Sequence, residues 1–458
     1  MAPTLEPMIN LARILIVLFV FVCPINSLAA EKNSLEDTQS IIILTSYAEQ
    51  YVNPLEKAFR EKYPNTRLRF LFKKTPAAVA HILNGRQPMP DIFMASAVDA
   101  FESLKKAGKL KRIASGKPNK LDNLFLDDKD GYYFGVALAG YGAMWNNDYL
   151  TRHNLTVPKD WNDLLKPEYS RHIAITSPMR SGTTHVIVET ILQAYGWEKG
   201  WEYLLELAGN LSTITARSYG VRDGVVKGRF GIGLVVDFFA LGAEKRGQPI
   251  DFAYYPNTTL MPASAAILAE ASAPREAKTF IDFLISLEGQ KLLAHKDIMR
   301  LPIRQDAYEV FPTDFPRPFD QSNFIDPVVF NKNLSSQRYQ LVNSMFDQLI
   351  TYRLRPLNRA WRLLHKLEAS SSKLSDRLTI DKARKLLVSV PVGEMMSTEQ
   401  TFLKQFSHSF PGTSKSILQT RLEQDWQDES ERSFQKAMLL LHELELKNES
   451  GPEWQKSR

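Results

Sequence analysis

Residues 133–145 read YFGVALAGYGAMW. The run is long, apolar and glycine-bearing, and it lacks helical periodicity, so it is read as one strand passing from one lobe to the next. Upstream, short apolar strands alternate with helices. Ile41–Leu44 is a buried strand, and Val52, Leu55 and Phe59 share one helix face. Arg67–Lys73 is a strand, Pro76–Leu83 a short helix, Asp91–Met94 a strand and Ala97–Ala107 a helix. This repeat is α/β with mostly parallel strands. Downstream a second α/β unit runs to about Ala253, after which an apolar stretch at Ala265–Ala269 and helices at Pro274–Leu287 and Gly289–His295 return the chain to the first lobe. Two crossings imply two lobes with a cleft between them, and long inter-lobe strands permit hinge closure.

Strand ends are where such sheets receive ligands. Three of them are small and polar: Thr45-Ser46-Tyr47, Ala95-Ser96-Ala97 and the turn after His172–Thr176. The last is the most telling, because residues 176–190 read TSPMRSGTTHVIVET. A strand enters the turn Ser181-Gly182-Thr183-Thr184-His185 and an apolar-periodic helix leaves it. Free backbone N–H groups, three hydroxyls and the positive end of a helix meet at one point, which suits a phosphate or carboxylate. Arg180 adds a fixed positive charge. Ser and Thr are also ordinary helix caps, so simple capping is the competing account. His185 is read either as a cation beside the anion or as a core histidine on a helix face. Asp237, which opens the helix after Gly231–Val236, is read either as a plain cap or as a carboxylate accepting ligand hydroxyls.

Composition narrows the class. The net charge is +6. Leu11–Val22 is almost wholly apolar and is followed by Ser27-Leu28-Ala29-Ala30, which reads as a secretory leader cleaved after Ala29 or Ala30. The only cysteine, Cys23, leaves with that leader. An exported chain of roughly 430 residues without a disulfide rests on a sizeable core, and thiol catalysis and cysteine-bound metals are excluded. Hydrolase, zinc-protease and nucleotide-loop motifs are absent, and no histidine pair has metal-ligand spacing. No metal or cofactor is therefore expected, and the chain reads as a binding protein rather than an enzyme.

After about Asp320 strands give way to helical spacing, as in Trp361-Leu364-Leu367 and Phe434-Met438-Leu441. Residues 331–458 hold 20 Lys+Arg against 15 Asp+Glu, and Arg353–Lys385 holds ten basic and three acidic residues. For an exported chain, anionic lipid or an acidic protein surface is a better use of that stretch than nucleic acid.

DIFMASAVDAF (91–101), SPMRSGTTHVIVE (177–189), ARSYGVRDGVVKGRFGIGLVVDFFAL (216–241) and LPIRQDAY (301–308), in this order of elements, resemble the bacterial periplasmic solute-binding proteins of ABC importers. The branch is that of hexose-phosphate-binding and phosphoglycerate transport regulatory proteins. The resemblance covers about residues 40–320. It implies a two-lobed, type II periplasmic-binding-protein fold closing on a small phosphorylated organic anion. It implies phosphate contacts from Ser181, Gly182, Thr183 and Thr184, with further contacts from Thr45, Ser46, Ser96, Ser218, Tyr219 and Asp237. It implies an ABC permease or a membrane sensor kinase as partner and a periplasmic location. Ferric-ion binders of the same superfamily carry adjacent tyrosines where this chain has Phe238-Phe239, and phenylalanine supplies no phenolate. An inorganic-ion binder and a periplasmic phosphohydrolase remain the alternatives. The expected organisation is a leader at 1–30, lobe 1 at about 31–135 and 252–300, lobe 2 at about 136–251 and 301–320, and an all-helical extension at 321–458.

Overall fold

Thirteen consecutive buried residues, Phe134–Asn146, form the strand on which the fold turns. The structure is a computed structural model that describes residues 39–113, 120–121, 124–318, 328–406 and 415–449; the expected leader lies outside these residues. The strands are β1 (Gln39–Thr45), β2 (Thr66–Phe72), β3 (Ile92–Ala95), a small hairpin of β4 (Lys120–Leu121) and β5 (Leu124–Phe125), β6 (Phe134–Asn146), β7 (Ile173–Thr176), β8 (Leu211–Thr215), β9 (Ile232–Val236), β10 (Ile250–Tyr254) and β11 (Leu260–Ile267). The main sheet runs β2-β1-β3-β11-β6-β9-β7-β8, with β10 also on β6.

The first half of β6 pairs antiparallel with β11, up to Gly140, and its second half pairs with β9 and β10 from Tyr141 onward. One strand therefore belongs to both lobes. The segment from β10 to β11 makes the second crossing. Within each lobe the pairs β1–β2, β1–β3, β7–β8 and β7–β9 are parallel, because helices cover the connections. Side chains alternate between faces with period two. Ile41 and Ile43 of β1 join one core with Phe280 and Phe283, whereas Leu44 joins the opposite one. At Gly142 a β-carbon would lie 2.0 Å from the Ala253 carbonyl oxygen, so only glycine lets β10 approach.

Residues 301–315 depart from expectation. Leu301, Ile303, Tyr308, Phe311 and Phe315 share the core of Ile41, Leu126 and Phe280, which places them with the first lobe rather than the second. The Leu138 N–H donates to the Leu301 carbonyl, and the Ile303 N–H to Gln290 Oε1.

The extension is helical: Lys332–Phe346 continuing through a π-turn Asp347–Thr351, then Leu354–Ser370, Leu374–Leu387, two short helices at Glu394–Thr398 and Gln400–Leu403, and Ile417–Glu449. It shares one continuous core with the second lobe. Trp361 lies against Gly209, where a β-carbon would sit 2.5 Å from Trp361 Cβ. Asn358 donates to the Ala208 and Gly209 carbonyls at 2.8 and 2.9 Å, and Trp197 Nε1 donates to the Val392 carbonyl at 2.6 Å. Three of the ten basic residues of that stretch are paired internally: Arg353 with Glu431, Lys366 with Glu445, and Arg384 with Glu206 and Glu368. No helix among the described residues is long and apolar enough to cross a membrane.

Candidate functional site

β7 ends at Thr176 and a short 3-10 turn, Pro178–Arg180, redirects the chain into Ser181. Ser181 is extended at φ −151° and caps the helix Gly182–Tyr195 by accepting from the Thr184 N–H at 3.2 Å. The His185 N–H reaches the Ser181 carbonyl. The first turn of a helix leaves N–H groups without intrahelical partners, and here those of Gly182 and Thr183 remain, on residues that line a cavity between the lobes.

The opposite wall comes from lobe 1: Ser46 and Tyr47 after β1, Lys74-Thr75 at the start of the helix Thr75–Leu83, and Ser96 after β3. The lobes stand close at this level. A β-carbon on Gly182 would meet Ala97 Cβ at 2.7 Å and Thr75 Oγ1 at 3.2 Å. The cavity holds about 80 Å³. One ordered water needs only ~10–15 Å³ by the same kind of measure, so there is room for a small solute.

Its charge is the salient property. Lys74, Arg180, Arg217, Arg222, Arg246 and Arg300 line it, against one carboxylate, Asp297. Arg222 is paired with Asp223, and Arg246 lies 3.9 Å from Asp297. The other four have no carboxylate partner among the described residues. Burial and the charges of Arg217 and Arg180 hold the Lys74 amine below its ordinary range. Arg217 donates to the Tyr219 hydroxyl.

Arg300 is the deepest of these cations, with none of its surface exposed. Its guanidinium carbon lies 3.8, 4.2 and 4.6 Å from the ring centres of Phe238, Tyr47 and Tyr51. Nη1 donates to Ser96 Oγ at 3.2 Å and to the Tyr47 hydroxyl at 3.3 Å, while Nε and Nη2 are buried without a partner. Three aromatic faces favour a cation electrostatically, yet they leave two donors unsatisfied, which an anion would complete.

Of the residues singled out in the sequence, Ser46, Ser96, Arg180, Ser181, Gly182, Thr183, Ser218 and Tyr219 line this cavity. Four do not, and the expectation for them is corrected. Thr45 is fully buried and donates to the Met94 carbonyl. Thr184 is buried and its N–H is used by the cap. Asp237 accepts from the Gly140 N–H at 2.6 Å, the Phe238 N–H at 2.7 Å and the Tyr254 hydroxyl at 3.0 Å. Burial pushes its pKa up to about 6, against the pull of those donors and of Arg300. It braces β6 against the following helix instead of meeting a ligand. His185 is also wholly buried: Nδ1 bonds Asn343 Oδ1 at 2.8 Å and Nε2 bonds Ser335 Oγ at 3.0 Å. Burial lowers its pKa to about 3, with Asn343 pulling the other way. It is a neutral ring facing the extension, not a cation facing the cleft.

Sequence reasoning missed Lys74, Arg217, Arg222, Arg246, Arg300, Phe238 and Phe239 as wall residues. Arg217 and Arg222 lie inside the quoted 216–241 run and were there to be seen. Arg300 meets Tyr47 across some 250 positions of chain, and no local pattern announces that. Phe238 and Phe239 line the wall and offer no oxygen ligand, and no group of three metal-ligating side chains is found among the described residues.

Residues 87–318 match the family described as bacterial extracellular solute-binding protein. The phosphoglycerate transport regulatory protein of Salmonella typhimurium is 35% identical over 273 residues, which is 60% of this chain and 66% of that protein. The match thus spans just under two thirds of that relative's length. An uncharacterized protein of Haemophilus influenzae is 25% identical over 247 residues, 52% of this chain and 70% of its own. Among solved structures, the periplasmic binding protein AfuA from Actinobacillus pleuropneumoniae, with fructose-6-phosphate bound, superposes with a TM-score of 0.61 at 20% identity, covering 68% of this chain and 98% of its own. A ferric binding protein from Campylobacter jejuni does so with a TM-score of 0.53 at 16% identity, covering 70% and 99%. At such identities the likeness is one of fold.

Proposed function

This chain belongs to the bacterial extracellular solute-binding proteins, and on that premise we propose that it captures a small phosphorylated organic anion in the cleft between its lobes. The observation that carries the reading is the wall of six cations facing one carboxylate. A phosphate monoester brings about −1.5 to −2 charges at pH 7, which falls short of the four cations lacking a carboxylate partner. A second anionic group on the ligand, such as the carboxylate of a phosphorylated three-carbon acid, completes the balance better than the neutral body of a sugar phosphate. The phosphate would sit at the Ser181–Thr183 turn, on the Gly182 and Thr183 N–H groups, and the second group at Arg300.

The protein would act by binding alone, exported to the periplasm after removal of residues 1–30. It would deliver its ligand to an ABC permease or report it to a membrane sensor kinase. Arg355, Arg359 and Arg362, exposed along one helix of the extension, suit an acidic partner surface or anionic lipid. Calorimetry with 3-phosphoglycerate, glycerate, fructose-6-phosphate, inorganic phosphate and ferric citrate tests the reading. Tightest binding is expected for 3-phosphoglycerate, and preference for glycerate or for ferric citrate would refute the phosphate assignment.

A further inference from the structure

The helix Lys332–Phe346 touches both lobes, and on the second lobe it reaches the element that presents the anion turn. Arg338 forms a buried pair with Glu189, donating from Nη2 and Nε to Oε1 at 2.6 and 3.0 Å and from Nε to Oε2 at 3.2 Å. Asn343 and Ser335 take both nitrogens of His185. At the end of the helix Asp347 accepts from Ser177 Oγ at 2.7 Å, and Ser177 immediately precedes the 3-10 turn that leads into Ser181. The helix Gly182–Tyr195 and the turn before it are thus held from behind by the extension.

On the first lobe the same helix packs against the helix Val98–Lys106, whose N-terminus follows Ser96 of the cleft wall. It shares a hydrophobic core with that helix, through Val98, Phe101, Leu104, Leu341 and Val342, and its polar contacts there are the less buried ones. Lys332 pairs with Glu102 at 3.0 Å, partly in solvent, and reaches the Tyr133 hydroxyl. Asp99, buried at the start of that helix, has only the N–H groups of its own helix start as donors and lies 3.9 Å from His185 Nε2. A groove of about 280 Å³, open to solvent and lined by Val79, Asp99, Tyr339, Leu341 and Phe406, runs along this seam. Breaking a buried, fully bonded pair is strongly unfavourable, whereas a pair partly open to solvent contributes less. The buried polar bonds therefore favour the helix staying with the second lobe if the lobes part.

We propose that the helix Lys332–Phe346 is a strap belonging to the binding machinery: it positions the anion turn and holds it against the first lobe, so that ligand occupancy and docking of the strap on the first lobe rise and fall together. The proposal rests on the anion-binding reading of the cleft for its ligand arm, though not for its conformational arm. Two sites that bias one equilibrium are coupled reciprocally. Asp347, Asn343 and Lys332 are then positioning residues, acting on the ligand through the turn and through closure.

The test uses the full chain and the variants Lys332→Ala, Asp347→Ala and Asp347→Asn. Without ligand, small-angle scattering and amide exchange compare the variants with the wild type. Lys332→Ala is expected to enlarge the radius of gyration and to speed exchange in the helices Val98–Lys106 and Lys332–Phe346. With 3-phosphoglycerate as probe, Lys332→Ala and Asp347→Ala are expected to weaken binding by roughly fivefold or more, and Asp347→Asn, which keeps an acceptor for Ser177, to restore most of it. Should Asp347→Ala fail to fold, Lys332→Ala, changed at a partly exposed side chain, decides alone. Wild-type radius, exchange and affinity in Lys332→Ala overturn the strap while leaving the anion site intact. A wild-type protein that binds no phosphorylated probe overturns the anion reading, and the ligand-free comparison still decides the strap.

Discussion

Gly182 of the second lobe stands so near Ala97 of the first that a β-carbon added to it would come within 2.7 Å of the Ala97 β-carbon. The two residues belong to the proposed anion turn and to the wall opposite it, so the described conformation is one in which the cleft is shut at this level. The Ala97 and Thr75 side chains lie directly against the Gly182 backbone there.

Replacing Gly182 with valine is therefore expected to prop the cleft open. Affinity for 3-phosphoglycerate should fall at least tenfold, about 1.4 kcal/mol, and the scattering radius with saturating ligand should stay at its ligand-free value. A variant that still contracts on binding would show that the turn slides rather than abuts.

Ser181 and Thr183 should separate by their stability. Ser181→Ala removes a helix cap and should cost about 0.5–2 kcal/mol of folding stability even without ligand. Thr183→Val should leave the melting temperature unchanged within error. Both should weaken phosphate-ester binding by about 1–3 kcal/mol, because each strips a partner from a charged oxygen. Unchanged affinity in both, by calorimetry, would return the turn to plain capping.

Arg300 trades stability for binding. Its two unpartnered buried donors burden the empty protein. Arg300→Met should melt at the same or a higher temperature than the wild type without ligand, yet bind 3-phosphoglycerate at least ~30-fold more weakly. A variant that loses stability and keeps affinity would make Arg300 a core residue only.

Asp99 should impose a pH dependence on folding. Burial raises its pKa to about 7, while weak pulls from the N–H groups at its own helix start oppose the rise. A carboxyl whose pKa is raised in the folded state holds a proton that the unfolded chain has lost. Its contribution is therefore intact below pH ~4 and declines as pH climbs to about 7, by on the order of 4 kcal/mol in full. His185 works in the opposite sense. Its pKa is lowered to about 3, so its contribution grows as pH rises from about 3 to 6.5. Between pH ~4 and 6.5 the two largely cancel. Asp99→Asn should accordingly be more stable than the wild type at pH 8, and its stability should climb from pH 4 to 6.5. Parallel denaturant titrations of the two proteins across that range check this, and curves with the same slope would refute it.

Export is tested at the other end of the chain. The mature protein is expected to begin at Ala30 or Glu31, and mass spectrometry of protein recovered from the periplasm reads that directly. An intact Met1 in a membrane fraction would reject it.

The fold was legible where burial writes a period into the sequence. Ile41–Leu44 and Asp91–Met94 announce strands because both faces of a covered parallel sheet are apolar. The run 133–145 announces β6 because glycines spaced without helical period are tolerated in a strand that other backbone must approach. The Ser181 cap and the helix start after it were legible because both are local. What was not legible depends on contacts between distant segments. Residues 301–315 carry no mark of their lobe, since Tyr308 and Phe311 would be apolar anchors in either. His185 and Thr184 follow a polar turn yet point into the core, because the helix rotates about 100° per residue away from the cleft. The five arginines are drawn from four separate segments, and the extension's grip on His185 spans 158 positions.

Gly209 carries one more message. Trp361 occupies the place where its side chain would be, so that single position records whether a chain of this kind has helices docked on its second lobe. A related sequence with a comparable C-terminal extension and glycine at the matching place can be expected to seat its tryptophan there. One with alanine or anything larger must attach its extension elsewhere or lack it. A letter in the middle of the binding lobe thus serves as a test for the architecture of a tail some 150 residues downstream.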